Sequence, residues 1–335
     1  MAVPLHPSRS LPLLPAHLHE QLQAGLALRR RGYRGRFAPS PSGALHCGNL
    51  RTALLGWLEA RLAGGEWLLR LDDLDTPRNR SGAEQEILAD LRWLGLSWDG
   101  PAVRQSTRRG LYAGVLSALR RAGWLYPCHC SRRMLADVSA PHGPLTLYPG
   151  FCRDRPPDWG PGAGGRLPSW RLRLGQGQLA WVERDRPGGC PDAAAAVGDV
   201  VLRRADGVVA YHLATAVDEL LLGISDVLRG EDLAASTGAQ VAVMAALGAA
   251  PPLYRHVPLW RDAEGRRLSK REAAEGLAGL RARGADAASV VGLLAASLGL
   301  VPPGSRLSAE ELLTALTPAA LAAALHRNQQ QGPHP

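Results

Sequence analysis

Strand-like and helix-like patterns alternate over residues 33–121, and this alternation limits the possible folds more than any other feature of the chain. Two short apolar segments, Tyr33–Ala38 and Trp67–Leu71, have the length and composition of strands. Apolar residues at helical spacing lie between these two strands and after the second one. They are Leu50, Ala53, Leu54, Trp57, Leu58 and Leu62, then Ile87, Leu88, Leu91 and Leu94, then Leu111, Val115 and Leu119. This order is typical of a parallel α/β sheet, the fold class that we predict.

The rest of the chain differs from this segment in composition. Residues 1–34 are rich in Pro, His, Leu and Arg without a clear pattern, so we expect a poorly ordered N-terminal extension outside the fold. Residues 124–198 contain four of the five cysteines and many Gly and Pro, which indicates a small inserted domain. The predicted division is therefore an α/β domain over 35–123 and 199–271, the insert over 124–198, and a helical C-terminal region over 272–335 with a disordered tail from Arg327.

The balance of charges is strongly basic, with a formal net charge of +9. Such a charge favours a polyanionic partner such as a nucleic acid, although a solvated basic surface explains it equally well. No apolar run reaches the roughly 20 residues that a membrane-spanning helix needs, and the first 30 residues lack the pattern of an export signal. We therefore expect a cytoplasmic protein without membrane contact.

Lysine is almost absent, because only Lys270 among the 39 basic residues is a lysine. An ammonium group is a compact point charge that guanidinium does not imitate in tight phosphate geometry. Lys270 lies in the basic segment Arg267–Arg271, preceded by Gly265. A flexible basic loop of this kind is suited to close over a triphosphate, whereas an isolated Ser-Lys-Arg would more often be solvated surface.

A second segment that suits phosphate binding is Arg36–Asn49, which joins a predicted strand to a predicted helix through the turn-rich residues 39–43. The N-terminus of a helix presents unpaired N–H groups and a positive dipole end to an anion. Gly48 allows the backbone to approach a ligand closely, and His46 adds a donor. The alternative is a capped turn with no ligand.

Three of the cysteines, Cys128, Cys130 and Cys152, lie close together in the predicted insert. The total of five cysteines is odd and their spacing is uneven, which fits a metal site better than a disulfide framework. Thiolates at such spacing favour tetrahedral zinc. Buried free thiols without a metal are the alternative.

The motifs together resemble those of class I glutamyl-tRNA synthetases. Gly35–Asn49 resembles the "HIGH" region of that family, Arg267–Arg271 its "KMSKS" loop, and Arg70–Arg78 its "RIEDTD" segment. Further matching blocks are Ala210–Ala214 with Val217 and Asp218, and Val227–Gly230. The resemblance implies a Rossmann-type class I catalytic domain with a small inserted domain of the zinc type and a short helical C-terminal region.

The chain stops where an ordinary glutamyl-tRNA synthetase would continue into anticodon-binding domains, and in this it resembles the paralogous glutamyl-queuosine tRNA(Asp) synthetases. That resemblance implies an ATP-dependent ligase that activates L-glutamate without tRNA and attaches it to queuosine in the anticodon of tRNA(Asp). It implies Mg²⁺ with the ATP, and we expect a monomer. A truncated glutamyl- or glutaminyl-tRNA synthetase that charges the tRNA 3′ end, or a catalytically silent tRNA-binding paralogue, are the alternatives.

The resemblance also assigns roles to residues. The glutamate pocket would contain Arg36, Phe37, Ala38, Pro39, Ser40, Asp72, Tyr211 and Arg229. Arg36 would face a carboxylate, as suits its fork of donors, and Asp72 would hold the ammonium. The ATP site would contain His46, Gly48, Asn49 and Lys270, of which His46, Asn49 and Lys270 would be catalytic. Two positions depart from the family pattern: Asp72 stands for the usual Glu, and Arg267 for the first lysine of the loop.

For the cysteines, the resemblance implies a structural zinc ion bound by Cys128, Cys130, Tyr148 and Cys152. The Tyr-x-x-x-Cys spacing of the family is present, but 17 residues separate Cys130 from Tyr148, more than the family's usual gap. His129 or His142 is an alternative fourth ligand.

Overall fold

The structure is a computed structural model that describes residues 10–131, 134–135, 147–184, 186–260 and 276–330. Its strands are β1 (Arg34–Phe37), β2 (Glu66–Leu71), β3 (Val103–Arg104), β4 (Leu125–Cys128), β5 (Ser169–Leu172), β6 (Leu179–Glu183), β7 (Arg186–Cys190), β8 (Val201–Arg203), β9 (Asp226–Gly230) and β10 (Leu253–Val257). Its helices are α1 (Ala16–Arg29), α2 (Cys47–Leu62), α3 (Ala83–Trp93), α4 (Arg109–Arg121), α5 (Ala193–Ala196), α6 (Tyr211–Leu221), α7 (Thr237–Ala246), α8 (Leu277–Ala282), α9 (Ala287–Ser297), α10 (Ala309–Ala315) and α11 (Pro318–Gln330).

The chain divides into two compact units. Unit 1 consists of Met1–Arg30, Thr107–Ile224 and Ala235–Tyr254, and unit 2 consists of Arg31–Ser106, Ser225–Ala234 and Arg255–Pro335. These two units do not test the predicted domain bounds, which remain a prediction. No helix in the described parts of the chain is long and apolar enough to cross a membrane.

Unit 2 contains a parallel sheet in the order β1-β2-β3. Arg34 pairs with Glu66 and Phe37 with Leu69, and Arg70 pairs with Val103 further along β2. Five of the six residues of β2 are buried, as expected for a parallel strand that is covered on both faces. The parallel α/β arrangement predicted from the alternating patterns is confirmed.

The hydrophobic core of unit 2 is formed around α2. Leu50, Leu54, Leu55 and Leu58 of α2 are fully buried. Side chains from the C-terminal helices, including Leu294, Leu312 and Leu321, belong to the same core. The helical character predicted for the C-terminal region is observed, but α11 continues to Gln330 where a disordered tail was expected from Arg327.

Unit 1 contains an antiparallel sheet in the order β4-β5-β8. In the same unit, β6 pairs antiparallel with β7, and its residues Val182 and Glu183 pair in parallel with Leu253 and Tyr254. The cysteine-rich segment therefore contributes strands of its own, separate from the parallel sheet of unit 2.

The N-terminal segment corrects an expectation. Residues 1–34 were predicted to lie outside the fold, yet 16–29 form helix α1 and Leu18 and Leu22 are buried. A Cβ atom at Gly25 would lie 2.1 Å from the carbonyl oxygen of Leu220, so α1 approaches the backbone of α6 closely. The signal for this packing in the sequence is weak because the buried face of α1 is narrow, consisting of Leu18, Leu22 and Gly25. Residues 1–9 lie outside the described part of the chain.

Candidate active site and metal cluster

The first candidate site in unit 2 begins where β1 ends. Arg36 is only 6% exposed, and its Nη1 donates to the carbonyl oxygen of Leu228 in β9 at 3.2 Å. Phe37 is buried in the core and its ring stacks on Trp67, with centroids 6.0 Å apart. Pro39 is buried and Ser40 is exposed. Arg36 is the charged residue of this segment, and its hydrogen bond to Leu228 holds its guanidinium group against β9.

His46 lies at the N-cap of α2. Its Nδ1 accepts a hydrogen bond from the main-chain N–H of Asn49 at 3.2 Å. A Cβ atom at Gly48 would lie 3.1 Å from the His46 ring, so a glycine at this position leaves room for the ring. The N-terminus of a 16-residue helix, with its partial positive charge, thus coincides with the predicted ATP residues His46, Gly48 and Asn49.

A main-chain bridge connects this helix start to a distant part of the sequence. His46 pairs antiparallel with Gly276, and a Cβ atom at Gly276 would lie 3.1 Å from the carbonyl oxygen of Leu45. Gly276 stands six residues after Lys270 in the sequence. Lys270 itself, with Gly265 and Arg267–Arg271, lies outside the described residues.

Asp72 follows β2 and lies beside the end of β1. Its main-chain N–H donates to the carbonyl oxygen of Pro39 at 3.0 Å, which joins two segments of the predicted glutamate pocket. Arg70 holds the Asp72 carboxylate through two hydrogen bonds, from Nε to Oδ1 at 2.6 Å and from Nη2 to Oδ2 at 3.1 Å. The two side chains are 1% and 7% exposed. Sequence analysis assigned the carboxylate to a substrate ammonium and did not foresee this ion pair.

Arg229 completes the charged groups of this site in unit 2. Its Nε donates to Nε2 of His256 at 3.1 Å, and both side chains are buried. Leu228, the neighbour of Arg229 in β9, accepts the hydrogen bond from Arg36, so β9 supports both arginines. Sequence analysis missed His256, because no motif or spacing marks a single histidine on a strand.

Tyr211, the last predicted pocket residue, belongs to unit 1. It is the first residue of α6 and its side chain is exposed. Its ring packs at 60° against that of His212, with centroids 5.5 Å apart. Its role in the glutamate pocket stays a prediction.

The predicted metal ligands are brought together in unit 1. The Sγ atoms of Cys128, Cys130 and Cys152 all lie within 4.8 Å of one another, and those of Cys130 and Cys152 are 3.6 Å apart. The Tyr148 Oη lies 3.4 Å from Cys128 Sγ and 3.5 Å from Cys130 Sγ. It also accepts a hydrogen bond from the main-chain N–H of Cys152 at 2.9 Å. This donor set is able to hold a metal ion.

His129 and His142 were the alternatives to Tyr148 as the fourth ligand. His129 is not part of the sulfur cluster, because its Nε2 donates to the carbonyl oxygen of Asp158 at 3.0 Å. His142 lies outside the described residues. Among the residues that the structure places, Tyr148 is therefore the one that joins the three thiols.

The thiols and the phenol influence one another's ionisation. Burial raises the pKa of Cys130 to about 11, and burial together with hydrogen bonds to the three thiols raises the pKa of Tyr148. Burial also works against ionisation of Cys152. Hydrogen bonds from Tyr148 and from the main-chain N–H of His129 outweigh it and bring the Cys152 pKa below its ordinary value. Burial and the neighbouring groups thus favour ionisation of Cys152 and disfavour ionisation of Cys130 and Tyr148.

A carboxylate behind the cluster organises the surrounding loop. Asp199 accepts hydrogen bonds from Tyr126 Oη at 2.6 Å, from Arg153 Nη1 at 2.5 Å and from the main-chain N–H of Leu174 at 2.8 Å. Arg153 directly follows Cys152 in the sequence. Asp199 therefore anchors the loop that carries this thiol, and sequence analysis gave no signal for it because its partners are distant in the chain.

Comparisons with known proteins show the family of this chain. The family described as "tRNA synthetases class I (E and Q), catalytic domain" matches residues 33–140 and 183–291. The chain is 58% identical to a glutamyl-Q tRNA(Asp) synthetase of Prochlorococcus marinus (strain MIT 9303), over 90% of this chain and 94% of that protein. It is 46% identical to a glutamyl-Q tRNA(Asp) synthetase of Symbiobacterium thermophilum, over 83% of this chain and 90% of that protein.

Among solved structures, a glutamate tRNA ligase from Elizabethkingia meningosepticum in complex with its amino acid is similar. The TM-score is 0.67 at 26% sequence identity. The match covers 84% of this chain but only 64% of the ligase, so the chain spans less than two thirds of that longer protein.

Proposed function

We propose, from the premise that this chain belongs to the class I tRNA synthetases for glutamate and glutamine, that it activates L-glutamate with ATP and transfers it to queuosine in the anticodon of tRNA(Asp). The observation that carries this proposal is the 58% identity to a glutamyl-Q tRNA(Asp) synthetase over 90% of the chain. The chain is accordingly a ligase with the fold of a class I catalytic domain, and we assign it to the cytoplasm, where tRNA and ATP occur together.

In the activation step, the α-carboxylate of glutamate attacks the α-phosphate of ATP in line and pyrophosphate leaves. No protein nucleophile is needed, so catalysis consists of positioning and of stabilising the charge that develops on the phosphates. The N-terminus of α2 with His46 and Asn49 supplies N–H donors, and Lys270 supplies an ammonium. Mg²⁺ accompanies the ATP. The bridge between His46 and Gly276 supports this assignment, because it anchors the end of the segment that contains Lys270 at the helix start.

The glutamate pocket follows from the charges around the end of β1. Arg36 and Arg229 provide guanidinium groups, and Asp72 a carboxylate, which suits an amino acid with two carboxylates and one ammonium. The hydrogen bond from the Asp72 N–H to the Pro39 carbonyl oxygen supports a pocket built from both segments. Because Arg70 binds both carboxylate oxygens of Asp72, the ammonium would share that carboxylate with Arg70.

For the metal cluster we propose a structural zinc ion. Zinc in a tetrahedral site, with Zn–S bonds of about 2.3 Å, holds two sulfurs about 3.8 Å apart and a sulfur and an oxygen about 3.5 Å apart. The distance of 3.6 Å between Cys130 and Cys152, and those of 3.4 and 3.5 Å from Tyr148 Oη to two of the sulfurs, support this ligand set. Cys128, Cys130, Cys152 and Tyr148 would hold the ion, which would tie the loop after β4 to residues 148–152.

The experiment that tests the proposed function has two stages. First, ATP–pyrophosphate exchange is measured without tRNA, with glutamate and, as controls, with glutamine and aspartate. Exchange is expected with glutamate alone. Second, labelled glutamate is offered with tRNA(Asp) that contains queuosine and with the same tRNA lacking it. Label is expected only on the queuosine-containing tRNA, and nuclease digestion should locate it in the anticodon fragment.

The alternatives give different results in the same experiment. Label at the 3′ end of either tRNA would identify a truncated synthetase and overturn the proposed acceptor. A folded protein that supports no exchange with any amino acid would identify a catalytically silent paralogue and overturn the enzyme assignment.

Lys270 lies outside the described residues, and its proposed role is tested by substitution. A contact made to the phosphates in the transition state is worth roughly 3 kcal/mol, about a hundredfold in rate. Lys270→Ala should therefore lower glutamate-dependent exchange about a hundredfold without loss of folding. Lys270→Arg is the matched control, which keeps the charge but loses the compact ammonium, and we expect it to restore only part of the rate. Full exchange activity in Lys270→Ala would remove this residue from the site.

A further inference from the structure

Arg171, on strand β5, stacks directly over a member of the metal cluster. Its guanidinium carbon lies 3.7 Å from the centroid of the Tyr148 ring. The side chain is only 8% exposed, and its Nη1 donates to the main-chain carbonyl oxygen of Asp199 at 2.7 Å. The arginine is thus held by β5 and by the backbone at Asp199, and the tyrosine ring is held against the arginine.

The charge around the cluster makes this contact significant. A zinc ion with three thiolates and a tyrosine oxygen has a net negative charge, and buried charge is costly unless an opposite charge lies nearby. The Asp199 carboxylate, which is also buried, already pairs with Arg153. Within the described residues Arg171 forms no ion pair with a carboxylate, so its permanent positive charge faces the ligand cluster through the Tyr148 ring.

We propose that Arg171 is a positioning residue for metal binding: it fixes the Tyr148 ring so that Oη completes the sulfur cluster, and its charge offsets that of the bound ligands. This inference rests on the proposed zinc site. Both the stacking contact and the ligand distances belong to unit 1, so no other part of the molecule is needed for it.

The chain offers a matched control for this role. Arg92 lies on α3 in unit 2, and its guanidinium carbon is 5.1 Å from the centroid of the Trp98 ring. Arg92→Met therefore removes an arginine–aromatic stack of the same kind without changing a contact of the cysteine cluster or of the loop that carries Cys152.

The test is a competition between the full-length protein and a chromophoric zinc chelator at neutral pH, with circular dichroism as the check on folding. Arg171→Met should lower the affinity for zinc by about 10- to 100-fold, the usual effect of losing a residue that orients a ligand. Arg92→Met should leave it unchanged. Arg171→Lys keeps the charge and loses the planar stack, so we expect a smaller loss, about threefold. If Arg171→Met does not fold, Arg171→Lys carries the test.

A double-mutant cycle locates the effect. If Arg171 acts through the ligand oxygen of Tyr148, then Tyr148→Phe should already lose the affinity, and adding Arg171→Lys to Tyr148→Phe should cost little more. Equal affinities of wild type, Arg171→Met and Arg171→Lys, or full additivity in the cycle, would overturn the inference. A wild-type protein that binds no zinc would instead overturn the proposed zinc site, and this result is distinguishable because it precedes any comparison of variants.

Discussion

The two candidate sites are supported in different ways. At the site in unit 2, main-chain geometry fixes the groups: the Asp72 N–H donates to Pro39, and His46 caps α2 and pairs with Gly276. At the cluster in unit 1, side chains converge from the end of β4 and from the segments that follow it, and burial raises the pKa of Cys130 to about 11. Main-chain contacts thus position the groups of the first site. The second site brings together acidic side chains whose ionised forms a cation would stabilise. This contrast predicts that metal and pH affect the second site far more than the first.

The largest expected effect is the loss of one thiol. Cys130→Ser removes one of four ligands, and since structural zinc is bound by about 10–16 kcal/mol in total, the affinity should fall on the order of 1,000-fold. The measurement is zinc content after dialysis against a weak chelator. Cys190→Ser is the matched control, because Cys190 lies on β7 and is not among the clustered thiols. Retention of one zinc per chain by Cys130→Ser would contradict the proposed ligand set.

The pH dependence of zinc binding sharpens the same contrast. Cys130 and Tyr148 both have raised pKa values, so both hold their protons at neutral pH and must release them when a metal binds. Lowering the pH favours the protonated, metal-free form, and the release of at least these two protons weakens binding by about 100-fold or more for each pH unit. Competition titrations at pH 7.5 and 6.5 measure this slope. An affinity that does not change with pH would show that these two groups are not ligands.

Substitution of His46 probes the site that the main chain preforms. His46→Ala removes both the cap and a donor toward the phosphates, and exchange should fall about 100-fold, or roughly 3 kcal/mol. His46→Asn keeps an N-cap side chain, which restores about 1 kcal/mol of helix stability without the imidazole. We therefore expect normal stability and low exchange activity in His46→Asn. Recovery of full activity in this control would reduce the role of His46 to capping alone.

The smallest expected effect concerns the packing of helix α9 in unit 2 and the stability that depends on it. A Cβ atom at Gly292 in α9 would lie 1.8 Å from the Ser305 carbonyl oxygen, so Gly292→Ala forces the backbone to move. We expect a loss of about 1–3 kcal/mol in the free energy of unfolding, measured with urea. Gly110→Ala in α4 is the control, because nothing lies within 4 Å of its Cβ, and its stability should stay the same or rise slightly. An equal response of both variants would contradict the close packing of α9.

Sequence reasoning succeeded where the signal is local or repeats along the chain. Helical spacing over Leu50–Leu62 and the apolar run at Trp67–Leu71 predicted α2, β2 and the parallel sheet, because side-chain periodicity follows backbone geometry directly. The short spacing between Cys128 and Cys130 predicted part of the sulfur cluster for a similar reason, since residues so close in the sequence stay close in any fold. The motif order was sufficient to indicate the family.

The tertiary structure decided what depends on partners distant in the sequence. It placed α1 against α6 through Gly25, joined Asp72 to Pro39, and added His256 beside Arg229. Each of these depends on which backbone segments meet, and no periodicity or spacing encodes that. The role of Lys270 stays a prediction from the sequence. The sequence by itself determined the elements, the motifs and their chemistry, and the three-dimensional packing decided which side chains face one another.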